Sequence, residues 1–96
     1  MLNLQLPLRL TRDEVVNWVR SIEPQLKQAK ASGQAIAVDA SALKQFDSSA
    51  LAAILAVHRE AQSLGLAFAG VQGMSATLQS LAQVYGIEEL LPSAKQ

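Results

Sequence analysis

A chain of 96 residues, half of them apolar, with eight basic and eight acidic side chains and no cysteine, is sized for one small domain spanning residues 1–96. Such a domain buries roughly 60–70% of its unfolded surface, needs no disulfide staple and offers no thiolate for redox or metal chemistry. Charge that balances overall and gathers nowhere excludes a strong electrostatic surface for nucleic acid or lipid headgroups, and the longest apolar run, residues 50–57, is too short to span a bilayer. The N-terminal stretch has neither the basic nor the hydrophobic region of an export signal, so the expectation is a cytoplasmic protein.

Leucines at 2, 4, 6, 8 and 10 alternate with polar residues or proline, which predicts a strand with one buried face. Pro7 cannot donate to a ladder, so this strand lies at a sheet edge or is broken into two short pieces. Thr11 and Glu14 form a capping-box pattern, and Val15, Val19, Ile22 and Leu26 follow at helical spacing. Pro24 falls inside that stripe and is expected to kink or divide the helix between Ser21 and Gln25; Lys27, Lys30 and Gly33 close it.

Residues 34–65 hold the centre of the pattern. Ala35, Ile36, Ala37 and Val38 form a short, partly β-branched run of the kind buried on both faces of a sheet, and Asp39 ends it. After a polar loop, Asp47, Ser48 and Ser49 are each good N-cap residues and lead directly into an Ala/Leu-rich helix that stops at Gly65. Residues 66–71 read as another apolar strand, left through Gly70 and Gly73. Leu78, Leu81, Ala82 and Tyr85 then mark a helix ending at Gly86, and residues 87–91 add a turn or extended piece that packs its Ile and Leu inward before Pro92. The order is β-α-β-α-β-α, a small, mainly parallel or mixed sheet covered by helices.

No enzyme emerges from these residues. Ser48 and the single histidine, His58, are separated by about 15 Å of helix at 1.5 Å per residue, which rules out a Ser-His-Asp arrangement. One histidine and no cysteine make a transition-metal site unexpected, and His58 reads as a half-exposed helix residue. Asp39 and Asp47 would form a carboxylate pair if the loop folded back; the plainer expectation has Asp39 capping its own turn at Ser41. The glycines match no nucleotide-binding fingerprint, so no cofactor is expected.

The central helix says more. Leu51, Ile54, Leu55, His58 and Ala61 form the stripe expected to face the sheet, leaving Ser49, Ala52, Ala53, Ala56 and Glu60 on other faces. Alanine is a good helix former and needs no further explanation. A run of small side chains beside Asp47, Ser48 and Ser49 nonetheless matches a docking face, because it lets a partner approach closely with little desolvation.

Residues 38–51, V-D-A-S-A-L-K-Q-F-D-S-S-A-L, resemble the signature of STAS domains, a hydrophobic strand ending in Asp and then D-S-S/T-G/A-L opening a helix. Residues 68–92, with G-V and L-x-x-L-A-x-x-Y-G, are similar to the MlaB-type STAS subunits of phospholipid-trafficking ABC transporters. The likeness runs over about residues 8–92. It implies a non-catalytic protein that binds and stabilises or regulates a transporter ATPase subunit, serves outer-membrane lipid asymmetry, and sits at the inner membrane only through that partner. Its relatives among anti-sigma factor antagonists imply the alternative, a switch controlled by a serine kinase. Ser48 then matches the phosphorylatable position, Asp47 the acidic residue before it, and Ser49, Ala52, Ala53 and Ala56 extend the partner-binding face. Ala50 stands where many antagonists carry glycine, and a single leading strand stands where the family forms a hairpin. A phosphate on Ser48 is expected to be favoured by the free N–H groups of Ala50 and Leu51.

Overall fold

The alternating leucines carry the chain into a parallel sheet, although not for their whole length. In the computed structural model, which describes residues 1–92, strand β1 (Leu2–Gln5) pairs with β3 (Ile36–Asp39), and β3 pairs with β5 (Phe68–Gln72), giving the order β1-β3-β5 with both pairings parallel. Leu4 and Leu6 are buried, and the Leu6 N–H donates the last rung to the Asp39 carbonyl at 2.8 Å. Pro7 then turns the chain, so β1 is both an edge strand and a short piece.

Beyond the break, β2 (Arg9–Leu10) forms a separate two-stranded parallel ladder with β4 (Gln45–Phe46). The leucine alternation is therefore corrected at one position. Leu8 is 63% exposed, because the turn at Pro7 rotates it out of the plane that Leu4 and Leu6 share, while Leu10 returns to the core. The Leu8 carbonyl instead accepts the N–H groups of Lys44 and Gln45 and so fixes the small ladder in place.

Helix α1 (Val15–Ser32) starts later than the capping pattern suggests. Thr11 donates its N–H and its hydroxyl to the Glu14 carboxylate at 2.9 and 2.7 Å, and Glu14 and Val15 both donate to the Thr11 carbonyl. The pattern thus closes a turn before the helix. The Thr11 hydroxyl, and then its N–H, hold the Glu14 carboxyl below the usual carboxylate range, with the Arg9 guanidinium adding to the effect.

Pro24 does not divide α1, which continues through it to Gly33. The carbonyl of Arg20 loses its donor at Pro24, and both are exposed residues, a setting in which solvent can substitute for the missing N–H.

Helix α2 (Ser48–Ser63) packs on β5, α1 packs on β1, and the two helices pack on each other, so they lie side by side on one face of the sheet. Ile36, Ala37 and Val38 are all buried, as expected of a central strand. The β3–β5 register shifts between Ile36 and Ala37, whose partners are Phe68 and Gly70. Gly70 takes up the bulge at φ 120°, a conformation that other residues rarely adopt. Helix α3 (Ala76–Val84) follows, capped by the Ser75 hydroxyl, which accepts the Leu78 N–H at 3.1 Å.

A 3₁₀ turn, Glu88–Leu90, leads to Leu91, which is buried, and the Pro92 carbonyl accepts the Val71 N–H at the outer edge of β5. Of the residues expected to pack inward here, Leu90 is exposed, because the 3₁₀ turn rotates it away from Ile87 and Leu91.

Candidate functional site

The site grows from the carboxyl end of β3. Asp39 ends the strand and folds its side chain onto the following turn, where its Oδ1 accepts the Ser41 N–H at 2.9 Å. The Ser41 hydroxyl and N–H hold its carboxyl below the usual range. Gly73 lies so close to this turn that a β-carbon there would sit 2.8 Å from the Ser41 side chain; with φ at 74°, only glycine fits without strain.

The chain then passes through β4 to Asp47, the N-cap of α2. Its Oδ1 accepts the Ser49 N–H at 2.8 Å, and its Oδ2 accepts the backbone N–H of Arg12 at 3.3 Å. One carboxylate thus ties the α2 N-terminus to the turn before α1. The Ser49 N–H does most to hold the Asp47 carboxyl low, and the Arg12 N–H adds to it. Asp39 is held by its own turn and Asp47 by its cap and Arg12, and both carboxyls are lowered, opposite to the rise that a shared proton gives one member of a pair.

The cap belongs to Asp47, which changes the role of its neighbours. Ser48 is the first helical residue, exposed, and its hydroxyl makes no hydrogen bond among the described residues. The Ala50 N–H already donates to the Asp47 carbonyl at 3.1 Å, and the Asp47 carboxylate fills the seat at the helix start. The expectation of a free N–H at Ala50 for a phosphate on Ser48 is therefore corrected.

Ala53 also leaves the expected surface. It is 1% exposed, buried together with Ala50, Leu51, Ile54, Val57 and Ala61, because α1 covers the flank of α2 that the sheet does not reach. Two neighbours close over α2 and widen its buried arc beyond a single stripe. Ala52 stays exposed and Ala56 half-buried, so Ser48, Ala52 and Ala56 form the surviving crest at four-residue steps, with Ser49 half-buried beside it.

Tyr85, which the periodicity placed on the core stripe, and Val84 beside it complete this surface. Tyr85 is 56% exposed and Val84 80% exposed at the end of α3. Tyr85 and Ile87 face Ser48, Ala52 and Leu55 across a shallow recess of about 270 Å³. A broader depression of about 550 Å³ continues from it over Phe46, Ser48, Leu81 and Val84. Val84, a bulky apolar residue off the three-and-four stripe, was the signal for this side.

His58 is half-buried and stacks on Phe68 with ring centroids 4.5 Å apart, away from Ser48 along the helix. Among the described residues no three His, Cys, Asp or Glu side chains cluster to hold a metal ion, and no helix is long and apolar enough to cross a membrane. The site is a surface of small, hydroxyl and apolar groups.

Against known proteins, a family model described as Mlab, STAS domain matches residues 3–92. No curated protein matches the chain.

Proposed function

Since the chain belongs to the STAS domain family, in its MlaB type, we propose that it is a non-catalytic subunit that binds and stabilises or regulates the ATPase of a phospholipid-trafficking ABC transporter and so serves outer-membrane lipid asymmetry. On this reading it is cytoplasmic and reaches the inner membrane through that partner. The observation that carries the reading is the match over residues 3–92, which includes the whole surface built around the start of α2.

The chemistry of that surface supports it. Ser48 and Ala52 present little bulk and no charge, and Val84 and Tyr85 supply exposed apolar area beside them. Aromatic anchors ringed by small residues suit a protein interface. The Asp47 and Asp39 carboxylates are engaged by backbone N–H groups, which leaves neither poised as a general base.

The exposed, uncommitted Ser48 hydroxyl favours a second reading, an anti-sigma factor antagonist switched by a serine kinase. A phosphate there carries a charge of about −1.5 to −2, set beside the Asp47 carboxylate on an otherwise neutral surface.

Purification of the native protein with its partners distinguishes the two: an ATPase with a membrane permease supports the first, a kinase-like anti-sigma protein the second. Ser48→Asp is expected to leave the domain folded, since an acidic residue in the first turn suits the helix dipole, and to weaken the complex. Ser48→Ala is expected to bind normally. A Ser48→Asp variant that binds as tightly as wild type removes Ser48 from the interface.

A further inference from the structure

The crest of α2 does not end at Ala52. One turn later Ala56 opens onto a groove of about 330 Å³ between α1 and α2. Its walls are aliphatic, with Val19, Ile22 and Leu26 on α1 facing Val57 of α2 and Leu64 at its C-cap; the small Ala56 side chain keeps the gap open on the docking side. A space of this size accepts one or two bulky side chains but is at the small end of sites for independent ligands, which run from about 300 to 1,000 Å³.

The rim is charged. Glu23 of α1 and Glu60 of α2 stand with a single cation, Lys27, so the rim carries one negative charge more than positive. All three are exposed, and none forms an ion pair within 4.0 Å among the described residues. Lys27 lies one turn from Glu23 on the same helix and answers at most one carboxylate.

We infer that this groove is an anchor slot for the partner ATPase, which inserts a bulky apolar side chain between α1 and α2 and sets a lysine or arginine beside it against Glu23 and Glu60. The assignment rests on the docking reading above and extends it. The groove is continuous with the small-residue crest through Ala56, and its unmet charge selects a basic rather than an acidic neighbour for the anchor. Depth supplies affinity and the rim supplies register, as at other interfaces where a desolvated apolar anchor is ringed by complementary charge.

The test uses the complete chain and its co-purified ATPase, with binding measured at low and moderate salt. Val19→Trp fills the slot from the α1 side without touching the crest, and Glu23→Lys with Glu60→Lys reverses the rim on exposed helix positions that tolerate the change; thermal melts verify folding. Each is expected to weaken binding about tenfold or more, and the charge-reversed variant is expected to lose the salt dependence of the wild type. Wild-type affinity in both, with binding still weakened by Ser48→Asp, overturns the slot and leaves the docking surface standing. Wild-type affinity in both and in Ser48→Asp overturns the docking reading along with it. If sedimentation shows a dimer of the free chain that Val19→Trp dissolves, the slot belongs to a second copy and the inference is overturned.

Discussion

Helix α2 carries five alanines, and they divide into two kinds by position. Ala50, Ala53 and Ala61 are buried, pressed between the sheet and α1, whereas Ala52 is exposed and Ala56 half-exposed at the head of the groove. On the inner face the small side chain lets two neighbours approach the helix at once. On the outer face it leaves a surface that a partner can meet closely. The same residue type thus has a packing role and a docking role within one turn of helix, and only the neighbours distinguish them.

The largest expected effect comes from breaking this division at Ala53. Ala53→Glu buries an unpaired carboxylate where no donor waits, a cost on the order of 3–5 kcal/mol, and a small domain has only about 5–15 kcal/mol of stability to lose. Circular dichroism and a thermal melt are expected to show an unfolded or severely weakened domain. A variant that melts like wild type places Ala53 on the surface after all and reverses the comparison.

A smaller loss of stability is expected from Asp47→Ala, which removes the cap of α2 and the tie to Arg12 together. The effect depends on pH with a definite sign. The folded-state pKa of Asp47 is lowered, as are those of Asp39 and Glu14. Their contribution is therefore complete above the ordinary carboxylate value of about 4 and is lost as pH falls below it. Urea denaturation of wild type and Asp47→Ala is expected to show curves that differ at neutral pH and converge in acid. A difference that persists unchanged in acid sinks the ionised cap as its cause.

The smallest effect on stability, within about 0.5 kcal/mol, is expected at Ala52→Glu, because an exposed helix position tolerates glutamate. Its effect belongs to binding instead: the added bulk and charge stand next to Ser48, and affinity for the ATPase is expected to fall while the melting temperature holds. Undiminished binding by Ala52→Glu sharpens the comparison in another way, by moving the interface from the crest toward Tyr85 and Val84.

Hydrogen exchange extends the contrast to the sheet. Amides of β1, an edge strand, are expected to exchange faster than those of Ile36, Ala37 and Val38 in the centre. Equal protection of both would mean that β1 is covered on its outer side.

Much of this was readable in the sequence because it is local. The apolar run ending at Asp39, the Asx turn onto Ser41, the start of α2 at Asp47 and Ser48 and the stop near Gly65 follow from hydrogen bonds and periodicities that close within a few residues. So does the break at Pro7, which removes a donor wherever it stands. The order of the main strands and helices needed nothing beyond these signals and the short connections between them, although β4 lay in what the sequence reads as a polar loop, and the likeness to STAS domains lay in the same contiguous stretches.

What tertiary structure decided involves residues far apart in the chain. Ala53 is buried because α1, folded from residues some thirty positions earlier, covers a flank of α2 that periodicity alone leaves open. Tyr85 is exposed at the end of α3 although it lies on the three-and-four stripe, and the β2–β4 ladder exists because Leu8 and Gln45 meet across the intervening helix and strand. Pro24 leaves α1 undivided, at an exposed position of the helix. A sequence window encodes which hydrogen bonds a segment makes with itself; which of its faces is covered depends on another segment's arrival, and in this protein that determines which of five alanines a partner can reach.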